Sequence, residues 1–331
     1  MKIAVVILNW NGQKLLEKFL PSVLSFSKEA TIYVADNAST DTSIAFTTEM
    51  FPSVQIIKNH ENGGYAKGYN DALAHLTEDI FVLLNSDVEV TENWLTPIIS
   101  AFKKHENLVA AQPKILDFKN KAYFEYAGAA GGYIDNLGYP YCRGRIFETL
   151  EKDEGQYDDN TEIFWATGAC LFIRKNAFVA AGGFDEDLFA HQEEIDLCWR
   201  LQSNGGIIKY FGSSKVYHVG GATLAAGNPK KTFYNFRNSL LVLFKNIEGV
   251  KIYRILFLRM ILDGIAAFKF LLEGKPSHFV SIFKAHISFY SHIWAFFPKR
   301  KKWKSTFQYA KNKHLIKQYF INKRKTFKML K

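Results

Sequence analysis

Short apolar segments alternate with amphipathic segments through the first 110 residues of this chain. Such alternation predicts a parallel, doubly wound α/β sheet, in which ligands gather at the carboxyl ends of the strands. The predicted strands are residues 3–8, 31–35, 54–58, 80–84 and 108–112, and the predicted helices are residues 13–25, 42–51, 68–75 and 94–104. Later strands are predicted at residues 167–174 and 209–218, with a helix inside residues 187–203.

A carboxylate follows the fourth predicted strand directly. Residues 83–87 read Leu-Leu-Asn-Ser-Asp, so Asp87 stands on the first turn past a buried strand. A carboxylate there can hold a divalent cation, and the cation can hold a diphosphate. His218 ends a later strand ahead of a glycine pair and is a candidate to complete a metal site with Asp87. The alternatives are a turn aspartate and a packed or surface histidine.

Short polar side chains follow the first two strands, and a glycine-rich turn follows the third. The polar side chains can bond a base or ribose, or they can cap the next helix. The glycine-rich turn lets backbone amides approach phosphates, although it also fits an ordinary loop before a helix. The candidate contacts to a nucleotide-diphosphate donor are Asn9, Asn11, Asp36, Asn37, Ser39, Asn62, Gly63, Gly64, Lys67, Asn70, Asn85 and Ser86.

Three carboxylates stand within four residues at Glu193, Glu194 and Asp196. Acidic residues in a first helical turn can simply favour the helix through its dipole. Crowded carboxylates also raise one another's pKa, which suits a general base that works near neutral pH. Glu194 and Glu193 are therefore the candidate catalytic residues for removing a proton from a sugar hydroxyl.

The net charge of +10 is concentrated at the end of the chain. Residues 275–331 hold 15 Lys and Arg and no Asp or Glu, which leaves 27 basic against 32 acidic side chains before them. The negative charge of the first 274 residues argues against a nucleic-acid partner. Residues 252–272 and 279–297 are apolar or aromatic but carry charged side chains or histidines, which favours helices lying in a membrane surface over spanning ones.

The basic cluster at residues 299–304 would suit anionic headgroups. A helical subdomain without membrane contact, or a homodimer interface, is the alternative for this end of the chain. The three cysteines are odd in number and far apart, so we expect reduced, packed thiols in a cytosolic protein. The apolar run at residues 3–8 is too short for an export signal, and we expect none.

Taken together, the clusters resemble the family 2 glycosyltransferases of the GT-A fold, particularly bacterial rhamnosyltransferase-like members. The segments that carry the resemblance are 5–12, 36–41, 62–70, 84–87, 168–174, 183–200 and 237–238. The resemblance implies an α/β, Rossmann-like, doubly wound mixed sheet flanked by helices, forming a catalytic domain over residues 1–240. Residues 241–331 would form a basic, aromatic-rich helical extension that associates with a membrane.

The resemblance also implies an inverting transfer from a nucleotide-diphosphate sugar, dTDP-rhamnose or a UDP-hexose, with Mg²⁺ or Mn²⁺. Asp36 would contact the base, and Asp87 matches the last carboxylate of the family's metal motif, here Asn-Ser-Asp rather than Asp-x-Asp. Glu194 aligns with the usual base. The Gln-x-x-Arg-Trp motif of processive synthases is missing from the sequence, which favours an enzyme that adds one sugar.

The expected acceptor is a growing, lipid-linked cell-surface glycan. The enzyme would then be cytoplasmic and peripheral on the inner face of the cell membrane, with residues 275–331 toward the anionic surface. Two other functions remain open from the residues alone, a sugar nucleotidyltransferase and a non-catalytic nucleotide-sugar-binding protein.

Overall fold

A computed structural model describes residues 1–220, 227–300, 307–312 and 314–330. Residues 301–304 of the predicted basic cluster lie outside the described residues, as does the second glycine of the pair after His218. Within the described chain a large mixed sheet carries the helices on its two faces, and a smaller sheet lies beside it.

The large sheet has nine strands in the order β11-β13-β6-β12-β4-β1-β2-β3, with β5 pairing to β13. Its strands are β1 Ile3–Asn9, β2 Thr31–Asp36, β3 Gln55–Lys58, β4 Ile80–Asn85, β5 Val88–Val90, β6 Leu108–Asp117, β11 Asn160–Glu162, β12 Cys170–Arg174 and β13 Ile207–His218. Strands β3, β2, β1 and β4 are parallel, as the alternation predicts. Because β12 runs antiparallel to both β4 and β6, the whole sheet is mixed.

The small sheet contains five strands in the order β10-β9-β8-β7-β14. These are β7 Gly132–Asp135, β8 Pro140–Cys142, β9 Arg145–Ile146, β10 Thr149–Leu150 and β14 Ala310–Asn312. The last strand comes from the end of the chain and pairs in parallel with β7. The end of the chain therefore returns to the loop-rich region at residues 113–165.

The helices are α1 Gln13–Phe26, α2 Ser43–Met50, α3 Gly64–Leu73, α4 Thr96–Lys104, α5 Lys175–Ala180, α6 Glu193–Ser203, α7 Pro229–Asn246, α8 Lys251–Leu272 and α9 Pro276–Phe296, with shorter turns at Glu186–Leu188, Lys317–Ile321 and Phe327–Leu330. The predicted start of α3 at residue 68 is one turn late, because the glycine-rich turn itself belongs to the helix. Strand β6 runs five residues further than predicted and includes Pro113. A proline is tolerated there because the pairing of β6 with β13 is irregular at this point.

Both faces of the large sheet are covered, which explains its continuous apolar strands. Along β1, Val5 and Ile7 pack with α1 and α4, whereas Ala4 and Val6 pack with α3 on the opposite face. This alternation is the two-residue period of a strand. All three cysteines are buried and unbridged, as expected for packed thiols.

Helices α7, α8 and α9 pack together, and α7 also packs against α6. The domain boundary predicted at residue 240 falls inside α7 and stays a prediction. In the part of the chain that the structure describes, no helix is long and apolar enough to cross a membrane.

Candidate active site

The carboxyl ends of β1 and β2 lie side by side and carry a hydrogen-bonded polar network. Asn9 faces Asp36 across the two strands. The Asn9 side-chain amide donates to the Ser39 hydroxyl at 3.2 Å, and the Ser39 backbone N–H donates to Asp36 at 3.2 Å. Asn11, in the left-handed region at φ 51°, accepts from the Thr40 N–H at 2.7 Å. These residues shape one edge of the site together.

The glycine-rich turn is tied to this network by amide side chains. Asn37 donates to Asn62 at 2.9 Å and to the Gly64 carbonyl at 3.0 Å. Gly64 has φ +72°, and a side chain there would lie 2.7 Å from the backbone carbonyl oxygen of Phe189. Only glycine fits that conformation and that approach. Gly63 stands at the helix start beside the stem of Lys67.

Two predicted donor contacts are engaged elsewhere. Lys67 is held by Asp71 at 2.6 Å and Glu61 at 3.7 Å, so its charge is already paired. The Asn70 side chain exchanges hydrogen bonds with the backbone of Phe184, at 3.0 and 2.9 Å, and donates to Glu186 at 2.9 Å. Both side chains are thus bonded within the chain, and their roles as donor contacts stay predictions.

The end of β4 meets the end of β13, which brings the two predicted metal ligands into contact. The His218 Nε2 atom lies 3.1 Å from an Asp87 carboxylate oxygen and 3.4 Å from the Asn85 amide nitrogen. Ser86 lies beside them in the same turn, near Gly12 after β1. Asp87 and His218 are both buried, so their charges are shielded from bulk water.

Sequence reasoning missed Glu125, a buried carboxylate at the same place. Its Oε2 lies 3.4 Å from the His218 Nδ1 atom. Burial lowers the pKa of His218, but the charges of Glu125 and Asp87 outweigh it and raise that pKa to about 10. Glu125 follows no recognisable motif in its loop, so only the fold connects it to the site.

Glu193 and Glu194 open α6 and share an apolar environment. Burial raises the pKa of Glu194 to about 7, with backbone N–H groups of the helix start partly offsetting it. Burial, together with the charge of Glu194, raises the pKa of Glu193 well above its usual value. One carboxylate oxygen of each has no hydrogen-bond partner. Two acceptors in this state can receive a proton near neutral pH.

The turn before these glutamates is strained. Phe189, His191 and Gln192 have φ of 61°, 69° and 74°, which side chains other than glycine adopt at a cost of roughly 1 kcal/mol or more each. The Asn238 side chain of α7 donates to the carbonyls of Leu188, Ala190 and His191 at 2.8, 2.9 and 2.7 Å. Asn238 thus holds the strained turn, a role that the sequence did not reveal.

Tyr65 connects the region of Glu193 and Glu194 to the turn that carries Asp87. The Tyr65 hydroxyl donates to the Gly168 carbonyl at 2.8 Å, and the next carbonyl, of Ala169, accepts from the Asn85 N–H at 3.0 Å. The charges of Glu193 and Glu194 reach Tyr65 and contribute to its raised pKa, for which burial is the largest cause. A side chain at Gly168 would lie 2.7 Å from the tyrosine hydroxyl. Tyr65 therefore lies beside the glutamates and is linked through residues 168–169 to Asn85, two residues before Asp87.

The sequence profile of glycosyl transferase family 2 matches residues 4–180. The chain belongs to this family. It is a glycosyltransferase, and this membership favours sugar transfer over the nucleotidyltransferase and binding-protein alternatives.

Two bacterial proteins are similar in sequence to this chain over more than half of its length. An N-acetylglucosaminyl-diphospho-decaprenol L-rhamnosyltransferase of Mycobacterium tuberculosis is 27% identical over 232 residues, which are 65% of this chain and 75% of that protein. The dTDP-rhamnosyl transferase RfbF of Shigella flexneri is 22% identical over 260 residues, covering 74% of this chain and 80% of that protein.

Solved structures share the GT-A-like fold. The mannosyltransferase PcManGT of Pyrobaculum calidifontis, in complex with GDP-Man and Mn²⁺, has a TM-score of 0.54 at 14% identity and covers 87% of each chain. GalNAc-T7 with UDP, GalNAc and Mn²⁺ has a TM-score of 0.58 at 16% identity, over 74% of this chain and 48% of that one. S. aureus TarS with UDP-GlcNAc has a TM-score of 0.57 at 16% identity, over 89% and 84% of the two chains.

Proposed function

We propose that this glycosyltransferase moves one sugar, with inversion at the anomeric carbon, from a nucleotide-diphosphate sugar to a glycan hydroxyl. The donor is dTDP-rhamnose or a UDP-hexose. The observation that carries the proposal is the set of contacts that leads from the glutamates to Asp87: Tyr65 lies within the electrostatic influence of Glu193 and Glu194, and its hydroxyl bonds to the segment that pairs with Asn85, two residues before Asp87. These contacts support a site in which Asp87 serves the leaving group and Glu194 serves as the base.

Asp87 and His218 would hold a divalent cation, Mg²⁺ or Mn²⁺. One carboxylate and one imidazole are suitable ligands for such a cation. Both side chains are buried and in contact, so they are held in place and shielded from bulk water. Among the described residues, no group of three or more His, Cys, Asp or Glu side chains forms a metal site of its own. This fits a cation whose other ligands are diphosphate oxygens. When bound, the cation neutralises charge on the diphosphate leaving group.

The protein's own groups perform the remaining steps. The network from Asn9 to Asn62 would orient the nucleotide, with Asp36 toward the base. Glu194 would take the proton of the acceptor hydroxyl, whose oxygen forms the new bond to the anomeric carbon as the bond to the diphosphate breaks. Attack from the opposite face inverts the configuration, through an oxocarbenium-like state. Asn238 keeps Glu194 in position through the strained turn.

We also propose a lipid-linked glycan as the acceptor. The relative from M. tuberculosis is named for an acceptor on decaprenol diphosphate, which supports this class of substrate. A peripheral position on the cytoplasmic face of the cell membrane follows, with residues 275–331 toward an anionic surface. The 15 basic side chains of that segment support this orientation.

The test of the donor is a thermal-shift panel of dTDP-rhamnose, UDP-glucose, UDP-galactose and UDP-GlcNAc, each with and without Mn²⁺. We expect one donor to stabilise the protein, by an increment that requires Mn²⁺ and is lost in Asp87→Ala. The matched control is Asp79→Ala, which changes an exposed aspartate away from the site. Transfer to a synthetic prenyl-diphosphate sugar, with the product's anomeric configuration read by NMR, then tests inversion. Retention of configuration, or stabilisation of Asp87→Ala equal to wild type, would overturn the proposal.

A further inference from the structure

Helices α8 and α9 form an antiparallel hairpin that presents two apolar stripes to solvent. Their exposed large side chains recur every three or four residues, which places them along one side of each helix. We call this surface the hairpin face, and it consists of Tyr253, Phe257, Ile261, Ile265, Phe268 and Leu272 on α8 and of Val280, Phe283, Ile287, Tyr290, Trp294 and Phe297 on or just after α9, with exposed fractions from 45% to 90%.

The two stripes adjoin each other. The ring of Phe268 lies 5.6 Å from that of Phe279, and the Tyr290 hydroxyl lies 3.0 Å from the Met260 sulfur. At roughly 100 Å² for each half-exposed large side chain, the face amounts to on the order of 1,000 Å² of apolar surface. The largest apolar patch of an ordinary monomer is about 300–600 Å². A surface of this size has a binding partner.

The polarity of the hairpin is inverted relative to a helix on a water-exposed surface. Arg259 and Asp263, which interrupt the apolar sequence of α8, are only 3% and 1% exposed. Arg259 donates to the Leu137 carbonyl at 2.9 Å and to Ser239 at 2.8 Å, while Asp263 accepts from Tyr139 at 3.3 Å. The fold satisfies the charged groups inside and turns the apolar groups outward. Such an arrangement suits apolar surroundings on the outer side.

The exposed charged side chains of the two hairpin helices and their connection are nearly all basic. The exposed charged side chains between residues 251 and 297 are Lys251, Arg254, Lys269, Lys275, Lys284 and one acid, Glu273. That acid is paired with Lys269 at 3.4 Å and Lys275 at 3.0 Å. A row of basic side chains beside aromatic rings matches an anionic lipid surface, in which rings occupy the interface and cations meet headgroups.

The tip of the hairpin lies at the same end as the candidate active site. His278, in the first turn of α9, lies 2.7 Å from the Thr232 hydroxyl in the first turn of α7. The same turn of α7 carries Lys231, whose charge acts on both Glu125 and His191. A lipid-linked substrate held by the bilayer would therefore arrive beside the site and not at the far end of the molecule.

We propose that the hairpin face lies in the headgroup region of an anionic bilayer, parallel to its plane. The inference deepens the proposed function, because it supplies the surface on which a lipid-linked acceptor is met. A second copy of the chain fits less well: facing two such surfaces would bring ten cations together with only two acids, and protein interfaces exclude charge from their cores. Neither helix needs to cross the membrane, in agreement with the hydropathy of the described helices.

The test is flotation of the full chain with phosphatidylcholine vesicles that contain phosphatidylglycerol. We expect wild type to float, and Phe283→Glu with Trp294→Glu to weaken vesicle binding by at least about tenfold, because two exposed apolar groups can no longer enter the interface. The matched control is Met50→Glu with Val179→Glu, which changes similarly exposed side chains on α2 and α5 and should float like wild type. Phosphatidylcholine alone should bind wild type more weakly.

Each outcome separates this proposal from the proposed function. The thermal shift with UDP or dTDP and Mn²⁺ should be equal in wild type and both double variants, since none of these residues belongs to the site. Equal flotation of wild type and Phe283→Glu with Trp294→Glu would overturn the proposal. Absent flotation, with a dimer by light scattering that this variant dissociates, would assign the face to a second copy. Intact flotation without any nucleotide response would overturn the donor chemistry alone.

Discussion

Glu193 and Glu194 are adjacent in sequence, yet the fold gives them different environments. Glu193 is buried, while Glu194 is half-buried and has a pKa of about 7. A base is most effective when its pKa lies near the working pH. The difference between the two side chains therefore supports Glu194 as the proposed base, the residue that the family resemblance also implies.

Glu194→Gln should lower turnover by roughly 10²- to 10⁴-fold, because the amide keeps the shape but cannot accept the proton. The donor's KM should change little. Steady-state kinetics with saturating acceptor measure both. Glu193→Gln is the matched variant and should have the smaller effect on turnover. Loss of turnover in Glu193→Gln with retention in Glu194→Gln would reverse the assignment of the base.

The pH dependence of kcat/KM tests the same assignment in the unmodified protein. The ionised form of Glu194 is the active one, so kcat/KM should rise with pH and level off above an apparent pKa of about 7. The pH profile of kcat/KM for Glu194→Gln should lack this rise. An inflection near pH 7 that persists in Glu194→Gln would belong to another group.

At the scale of elements, α7 connects to the site through two buried polar contacts. Asn238 holds the strained turn before α6. Two turns of α7 further on, Lys245 lies 2.9 Å from Asp196 of α6 and 2.6 Å from Asp185. Both contacts fix the start of α6, where the candidate base stands.

Asn238→Ala should lower kcat on the order of ten- to a hundredfold, because the turn at residues 189–192 loses three hydrogen bonds and releases Glu194 from its position. The donor's KM should change less than kcat, since Asn238 bonds to the carbonyls of residues 188, 190 and 191 and to none of the predicted donor contacts. Asn235→Ala, a half-buried asparagine on the same helix, is the control. Parallel loss of donor binding would show a general structural role instead.

Asp196→Asn should lower the free energy of unfolding by about 3 kcal/mol, because it leaves Arg200 without its buried carboxylate and Lys245 with Asp185 alone. Those cations hold the pKa of Asp196 well below its usual value, although burial alone would raise it. The stabilisation is therefore complete above about pH 4 and is lost as the pH falls below that value. Urea denaturation measures it, and Lys269→Met in an exposed pair should have no measurable effect.

At the scale of the whole molecule, the end of the chain closes over the small sheet. Phe327 packs on the rings of Tyr133, Tyr141 and Tyr157 at 5.4 to 6.2 Å, and its N–H donates to Glu151 at 3.0 Å. Deleting this part of the chain would uncover the small sheet as well as remove basic residues. Point substitutions are therefore the cleaner test of membrane contact.

Phe327→Ala should lower the free energy of unfolding by about 1–3 kcal/mol, because a partly buried ring leaves three aromatic partners. Thermal unfolding measures the change. Met329→Ala is the matched control, since Met329 is exposed two residues later and should leave Tm unchanged. Equal Tm values for wild type and Phe327→Ala would mean that the end of the chain contributes nothing to folding stability.

The sequence alone determined the features that depend on local pattern. Apolar runs with helices between them predict parallel strands, as β1, β2, β3 and β4 are, and polar residues directly after such strands must then share one edge. The positions of Asp36 and Asp87 follow from this rule. The family's segments lie on these same elements, so the resemblance and the pattern lead to one fold.

Tertiary structure decided whatever joins distant segments. Glu125, Tyr65 and Asn238 come from three separate regions, and their partners were defined only when the chain folded. It also decided which side of α8 is inside: the sequence shows charges within an apolar run, but only the packing partners Tyr139 and Ser239 turn those charges inward. Periodicity fixes a face of a helix, whereas the neighbours that cover it are set by the whole fold.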